Sequence, residues 1–151
     1  MNVEKKIQHS LNDLIEIARD GGEFYTEAAG KVKDPQLSSL FGQMAAHKQE
    51  IVQGLSADVA ATGGKPAEHG TLVGSMHQVY GKVRAALGDT DYAYVAELEE
   101  SEDRLLDAFK DTISDRDTPA AAKAAAEQFL PRVLECHNIM RSHKHAMQAT
   151  R

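Results

Sequence analysis

A chain of 151 residues, 42% of them apolar, is long enough to bury one full hydrophobic core, and a single domain over 1–151 is expected. A formal net charge of −6, with 17 basic side chains scattered rather than clustered, argues against a nucleic-acid partner. No apolar run follows the amino terminus Met1-Asn2-Val3-Glu4-Lys5-Lys6 or approaches the roughly 18 residues of a membrane span, and the single Cys136 excludes an internal disulfide or CxxC motif, so a soluble cytoplasmic protein without a membrane role is expected.

The first helix is predicted over roughly 3–32. Ile7, Leu11, Leu14, Ala18, Gly21, Tyr25, Ala28 and Val32 follow alternating spacings of four and three and form one face. Gly21-Gly22 at its middle costs about 1 kcal/mol per residue relative to alanine, which predicts either a bend or close approach by a crossover helix or a second subunit. Asp34-Pro35 offers a capping oxygen and a first-turn proline for a second helix over roughly 34–62. Its seam is Leu37, Phe41, Met44, Lys48, Ile51 and Leu55, and Gly63-Gly64-Lys65-Pro66 closes it. A shorter helix is predicted over roughly 71–87. Gly88-Asp89-Thr90-Asp91 then opens a third long helix over roughly 90–115, with Val95, Leu98, Glu102, Leu105 and Phe109 on its seam. Asp117-Thr118-Pro119 starts the fourth, roughly 118–148, where Phe129, Val133, Cys136, Met140 and Met147 face inward with His137 and His143 beside them. Pro131 predicts a kink just before His137. No strand pattern competes, so the fold class is all-α. Short connections at 33–34 and 115–118 make neighbours antiparallel, while 63–89 is long enough to cross the molecule. An up-down-down-up four-helix bundle with a short extra helix in the crossover follows, the connectivity of ferritin-like folds.

Ala18, Lys48, Glu102 and His137 interrupt the four seams at matching depth, which points to one shared central site. A carboxylate-bridged di-iron centre needs a Glu from each of two helices and a Glu-x-x-His pair from each of the other two. The residues three places before the seven histidines are Lys6, Met44, Pro66, Gly74, Leu134, Met140 and Ser142, so no such pair exists. A lysine on an apolar seam is costly unless a carboxylate accompanies it. The expectation is a buried Lys48–Glu102 pair, hydrogen-bonded through His137. In the alternative, Lys48 snorkels outward, and a one-place rotation of the third helix puts Ser101 inside and Glu102 at the rim. The metal ligands that remain are Glu99, Glu102 and His137, for iron or manganese. His47 and Glu50, three apart, could share a metal but read as a solvated pair. His143 and His145 point to opposite sides. Cys136 reads as a small apolar residue rather than a redox sensor. No GxSxG, GxxxxGK[ST] or GxGxxG motif supports hydrolysis or nucleotide chemistry.

The stretch Leu11 to Tyr25, the loop Gly63-Gly64-Lys65-Pro66, the acidic run Glu97 to Asp103 and the final His137-Asn138-Ile139 resemble a bacterial ferritin-like family of unknown function, domain of unknown function 2383, related to rubrerythrins and bacterioferritins. The resemblance implies a four-helix bundle and supplies no activity. In the related ferritins and rubrerythrins a Glu precedes the first-helix tyrosine by two turns, and that place here is Ala18. The second-helix ligand pair falls on Lys48 and Ile51, and on the fourth helix Leu134 stands where a Glu belongs beside His137. A metal-free structural, interaction or stress-associated protein is therefore expected, with a metal-binding protein and possible oxidase as the alternative. Ile17 and Phe24 lie off the seam, in excess of what one core needs, and suggest a homodimer.

Overall fold

The computed structural model describes residues 2–71 and 89–150, which form four helices and no strand. They are α1 (Val3–Ala29), α2 (Pro35–Ala61), α3 (Thr90–Ser114) and α4 (Ala120–Ala149). The shorter helix expected over 71–87 lies, apart from Thr71, outside the described residues. Among the described residues no helix is long and apolar enough to cross a membrane.

Side chains at the helix ends satisfy backbone groups that the helices leave unpaired. Asn2, Asp34 and Asp89 each accept a first-turn amide, from Lys5, Gln36 and Tyr92, at 2.8–2.9 Å. α1 stops three residues earlier than expected, and Ser38 of α2 donates to the Ala29 carbonyl left free there. At the end of α2, Gly63 takes φ +81°, its amide bonds to the Ala60 carbonyl, and the Gly64 amide bonds to that of Val59. This pair of bonds is the Schellman closure, and its left-handed residue favours glycine. α4 begins two residues later than expected: Pro119 precedes the helix, and its carbonyl accepts from Ala122 and Lys123. The helix continues through Pro131. Pro131 and Glu127 are both exposed, so water can reach the carbonyl that the proline deprives of a donor.

α1 packs mainly on α2 and α3 mainly on α4, and α1 also meets α3. Their inward faces form two apolar clusters. One holds Leu11 and Leu14, Ile51 and Leu55, Leu105 and Phe109, and Ala122, Ala126 and Val133. The other holds Tyr25, Phe41 and Met44, Val95 and Leu98, and Cys136 and Met140. Beyond α2 the chain turns back along α1, where Asn12 holds Lys65 and Ala67 and Arg19 donates to the Ala67 carbonyl. The Asp91 carboxylate accepts the amides of Lys33 and Asp34, tying the first loop to the start of α3.

Phe24 departs from its expected place. It is buried against Tyr94, with ring centroids 6.2 Å apart, and Ile17 packs on the first cluster. Phe24 is therefore covered within the chain and Ile17 partly so, because the helix stripe is wider than a strict four-and-three seam. Val3 is the large hydrophobic residue left exposed among the described residues.

Candidate functional site

Between the two apolar clusters lies a buried polar layer made of Lys48, Glu102 and the hydroxyl of Tyr25. The seam spacing of α2 carries Lys48 inward between Met44 and Ile51, and that of α3 carries Glu102 inward between Leu98 and Leu105. Lys48 is 2% exposed and Glu102 0%, and Lys48 Nζ stands 2.8 Å from Glu102 Oε2. The Tyr25 hydroxyl donates to the same oxygen at 2.5 Å, and the ammonium lies 5.6 Å from the centre of the Tyr25 ring. Glu102 Oε1 has no hydrogen-bond partner among the described residues. The ammonium meets Oε2 as an ion pair.

Room for the lysine comes from small residues. A methyl group built on Gly21 would sit 3.6 Å from Lys48 Cε and 3.5 Å from Ser101 Oγ, and one on Gly22 would sit 3.4 Å from Lys48 Cβ. Among the described residues the neighbours of the glycine pair are thus the lysine stem and α3, and the crossover helix that the sequence suggested lies outside those residues. At 2.8 Å and an effective dielectric of about 20 the Lys48–Glu102 attraction is on the order of 6 kcal/mol. Desolvating each ion costs several kcal/mol, so the pair roughly balances as a whole, and the loss of one member is what destabilises.

The layer shapes the neighbouring titrations. Burial, then the adjacent Glu102 charge, pushes the Tyr25 phenol well above its ordinary value. Burial also pushes the Cys136 thiol up, with the Lys48 ammonium pulling the other way. A protonated thiol closed off from solvent is a packing group, not a reactive one.

His137 does not reach the central pair. Its Nε2 lies 2.5 Å from Oδ1 of Asp103, the residue after Glu102, and Glu99 stands one turn earlier on α3. Consecutive residues differ by about 100° around a helix, so Glu102 faces α1 and α2 while Asp103 faces α4. Of the ligand set read from the sequence, the structure brings Glu99 and His137 together and places Asp103, not Glu102, with them. Glu99 is raised above its ordinary value by burial first, then by the Asp103 charge, with a side-chain hydrogen bond to Asp103 adding to the rise and Lys144 and His137 opposing it. Sequence reasoning passed over Asp103 and the Tyr25 hydroxyl. The signals were available: Glu99 and Asp103 are spaced i, i+4, and a buried tyrosine needs an acceptor. Ser101 and Glu102 are both buried, so the rotation of α3 lies between the two registers considered.

Elsewhere Arg132 Nη1 donates to His47 Nδ1 at 2.7 Å and pairs with Glu50, so a guanidinium links the two residues that could have shared a metal. His143 is half-buried and His145 exposed.

The family model of the Domain of unknown function (DUF2383) matches residues 6–115, which include α2, α3 and nearly all of α1, and the chain belongs to that family. The matched stretch contains Tyr25, Lys48, Glu99, Glu102 and Asp103 and stops before His137. No curated protein and no solved structure matches the chain.

Proposed function

We propose that this member of the domain of unknown function 2383 family is a single ferritin-like bundle in which a lysine ammonium stands where the oxidases of that architecture hold two metal ions, and that it acts as a structural, interaction or stress-associated protein. Support for the architecture comes from which halves share a core. The amino-terminal halves of α1 and α4 meet the carboxy-terminal halves of α2 and α3 in one cluster, and the reverse holds in the other. An up-down-down-up order produces that grouping.

The central residues do not fit a di-iron or di-manganese centre. Ala18, Ile51 and Leu134, at three places where the resemblance puts ligands, have side chains with no donor atom. Lys48 Nζ, 2.8 Å from the carboxylate that remains, is itself a cation and repels any ion brought to the same oxygen. That contact is the single observation that carries the reading. The second reading, a metal-binding protein, draws on the Glu99–Asp103–His137 cluster, which does not include Glu102.

Ferrous ion supplied aerobically is the direct test. Oxidation in the presence of the protein is expected to run at the rate of a protein-free solution. Acceleration that disappears in Glu102→Gln would overturn the proposal.

A further inference from the structure

At the rim of the bundle, between α3 and α4, two carboxylates and an imidazole converge without taking part in the central pair. One oxygen of Glu99, one of Asp103 and one nitrogen of His137 all lie within 4.8 Å of one another. Glu99 and Asp103, four residues apart, project from the same face of α3, and His137 reaches them from α4. Glu99 is buried, and the His137 side chain is 11% exposed whereas that of Asp103 is 48% exposed. The cluster is therefore closed toward the core and open on one side. A separate observation points to a ligand: although the Glu99 carboxyl interacts with Asp103, its Oε2 atom is buried and has no hydrogen-bond partner among the described residues. A carboxylate oxygen sealed from water with no donor is costly to maintain, and a cation between the three groups would satisfy it.

We infer that Glu99, Asp103 and His137 form a mononuclear site for a first-row divalent metal ion of the Zn²⁺, Mn²⁺ or Fe²⁺ class, held by α3 and α4 alone. Two carboxylates with a neutral imidazole cancel the charge of one such ion. The imidazole nitrogen favours this class over Ca²⁺ and Mg²⁺, which take oxygen ligands. Ligand atoms about 2.1 Å from an ion stand about 3 Å apart at right angles, so the 2.5 Å Asp103–His137 contact opens by about half an ångström on binding. The exposure of Asp103 gives it the freedom to do so, and its open side leaves coordination positions for water. Lys144 is the competing cation on this face, acting on Glu99 from α4.

The site is distinct from the central layer, where Lys48 and Tyr25 both engage Glu102, so it stands or falls separately from the first reading proposed above and gives the second reading its ligands. The test is calorimetric titration of the chelator-treated full chain with Zn²⁺ and Mn²⁺, with Co²⁺ absorption reporting the ligand field. One ion per chain is expected, with Asp103→Asn and His137→Gln each weakening binding at least about 10-fold. Asp103→Asn alters a half-exposed side chain and keeps the fold, which its melting curve verifies. Glu100→Gln, an exposed carboxylate on the same helix, is expected to bind as the unaltered chain does. Absence of saturable one-to-one binding overturns the inference, as does equal weakening by Glu100→Gln. Binding unchanged in both Asp103→Asn and His137→Gln also overturns it and places the ion elsewhere.

Discussion

The Tyr25 hydroxyl lies 2.5 Å from Oε2 of Glu102, the oxygen that also faces the Lys48 ammonium. One carboxylate oxygen thus receives a hydrogen bond from α1 and an ion contact from α2, and three helices are joined where apolar packing is interrupted. Hydrogen bonds to charged groups contribute about 1.5–3 kcal/mol, so Tyr25→Phe is expected to lower stability by that amount at neutral pH. The loss has a pH signature. The folded-state value of the phenol is raised above 10.0, so the stability tied to its neutral form is fully present below pH 10 and is lost as pH rises through the folded value. The gap between the unaltered chain and Tyr25→Phe, measured by urea unfolding, should be flat from pH 7 to 9 and narrow above 10. A gap that widens in alkali contradicts the placement of this proton.

Lys48 and Glu102 should behave as a unit under mutation. Lys48→Met keeps the volume of the stem and strands a buried carboxylate, which costs about 3–5 kcal/mol. Lys48→Met combined with Glu102→Gln removes both charges and keeps an amide oxygen for the Tyr25 hydroxyl. The double variant is expected to regain most of that loss, lying within about 1.5 kcal/mol of the unaltered chain. Equilibrium unfolding of the four proteins in the cycle measures the coupling. Losses that simply add would mean that the two groups do not share an environment.

Much of this layer was legible in the sequence because a helical seam is a strong signal. Every seam position named on α1 to α3 is buried except Val32, which lies beyond the end of α1. On α4 the same reading was looser. Phe129 and Met147 are half-buried there, since α4 packs mainly on α3 and presents a narrower inner face. Periodicity resolved depth along each helix better than rotation about it. Glu102 and Asp103 occupy the same depth and differ by about 100°, a difference that decides whether a carboxylate meets an ammonium or an imidazole. The partner of Gly21-Gly22 was equally hidden. A helix sequence records that a neighbour comes close, and only the tertiary arrangement says that, among the described residues, the stem of Lys48 and Ser101 are there.

Two glycines make opposite predictions. A methyl group added to Gly63 would meet none of the described residues within 4 Å, yet its φ of +81° is strained for any residue with a Cβ. Gly63→Ala should lower stability by about 1–2 kcal/mol through the backbone alone. Gly21 is buried, but a methyl there would meet Ser101 Oγ at 3.5 Å and Lys48 Cε at 3.6 Å, ordinary contact distances. Its φ lies in the usual negative range, so Gly21→Ala gains helix propensity without a clash and is expected to raise stability by up to about 1 kcal/mol. Thermal and urea unfolding of the two variants checks the contrast. Marked destabilisation by Gly21→Ala would show that the stem of Lys48 needs more room than this arrangement provides, and that the central pair is held more tightly against α1 than its distances indicate.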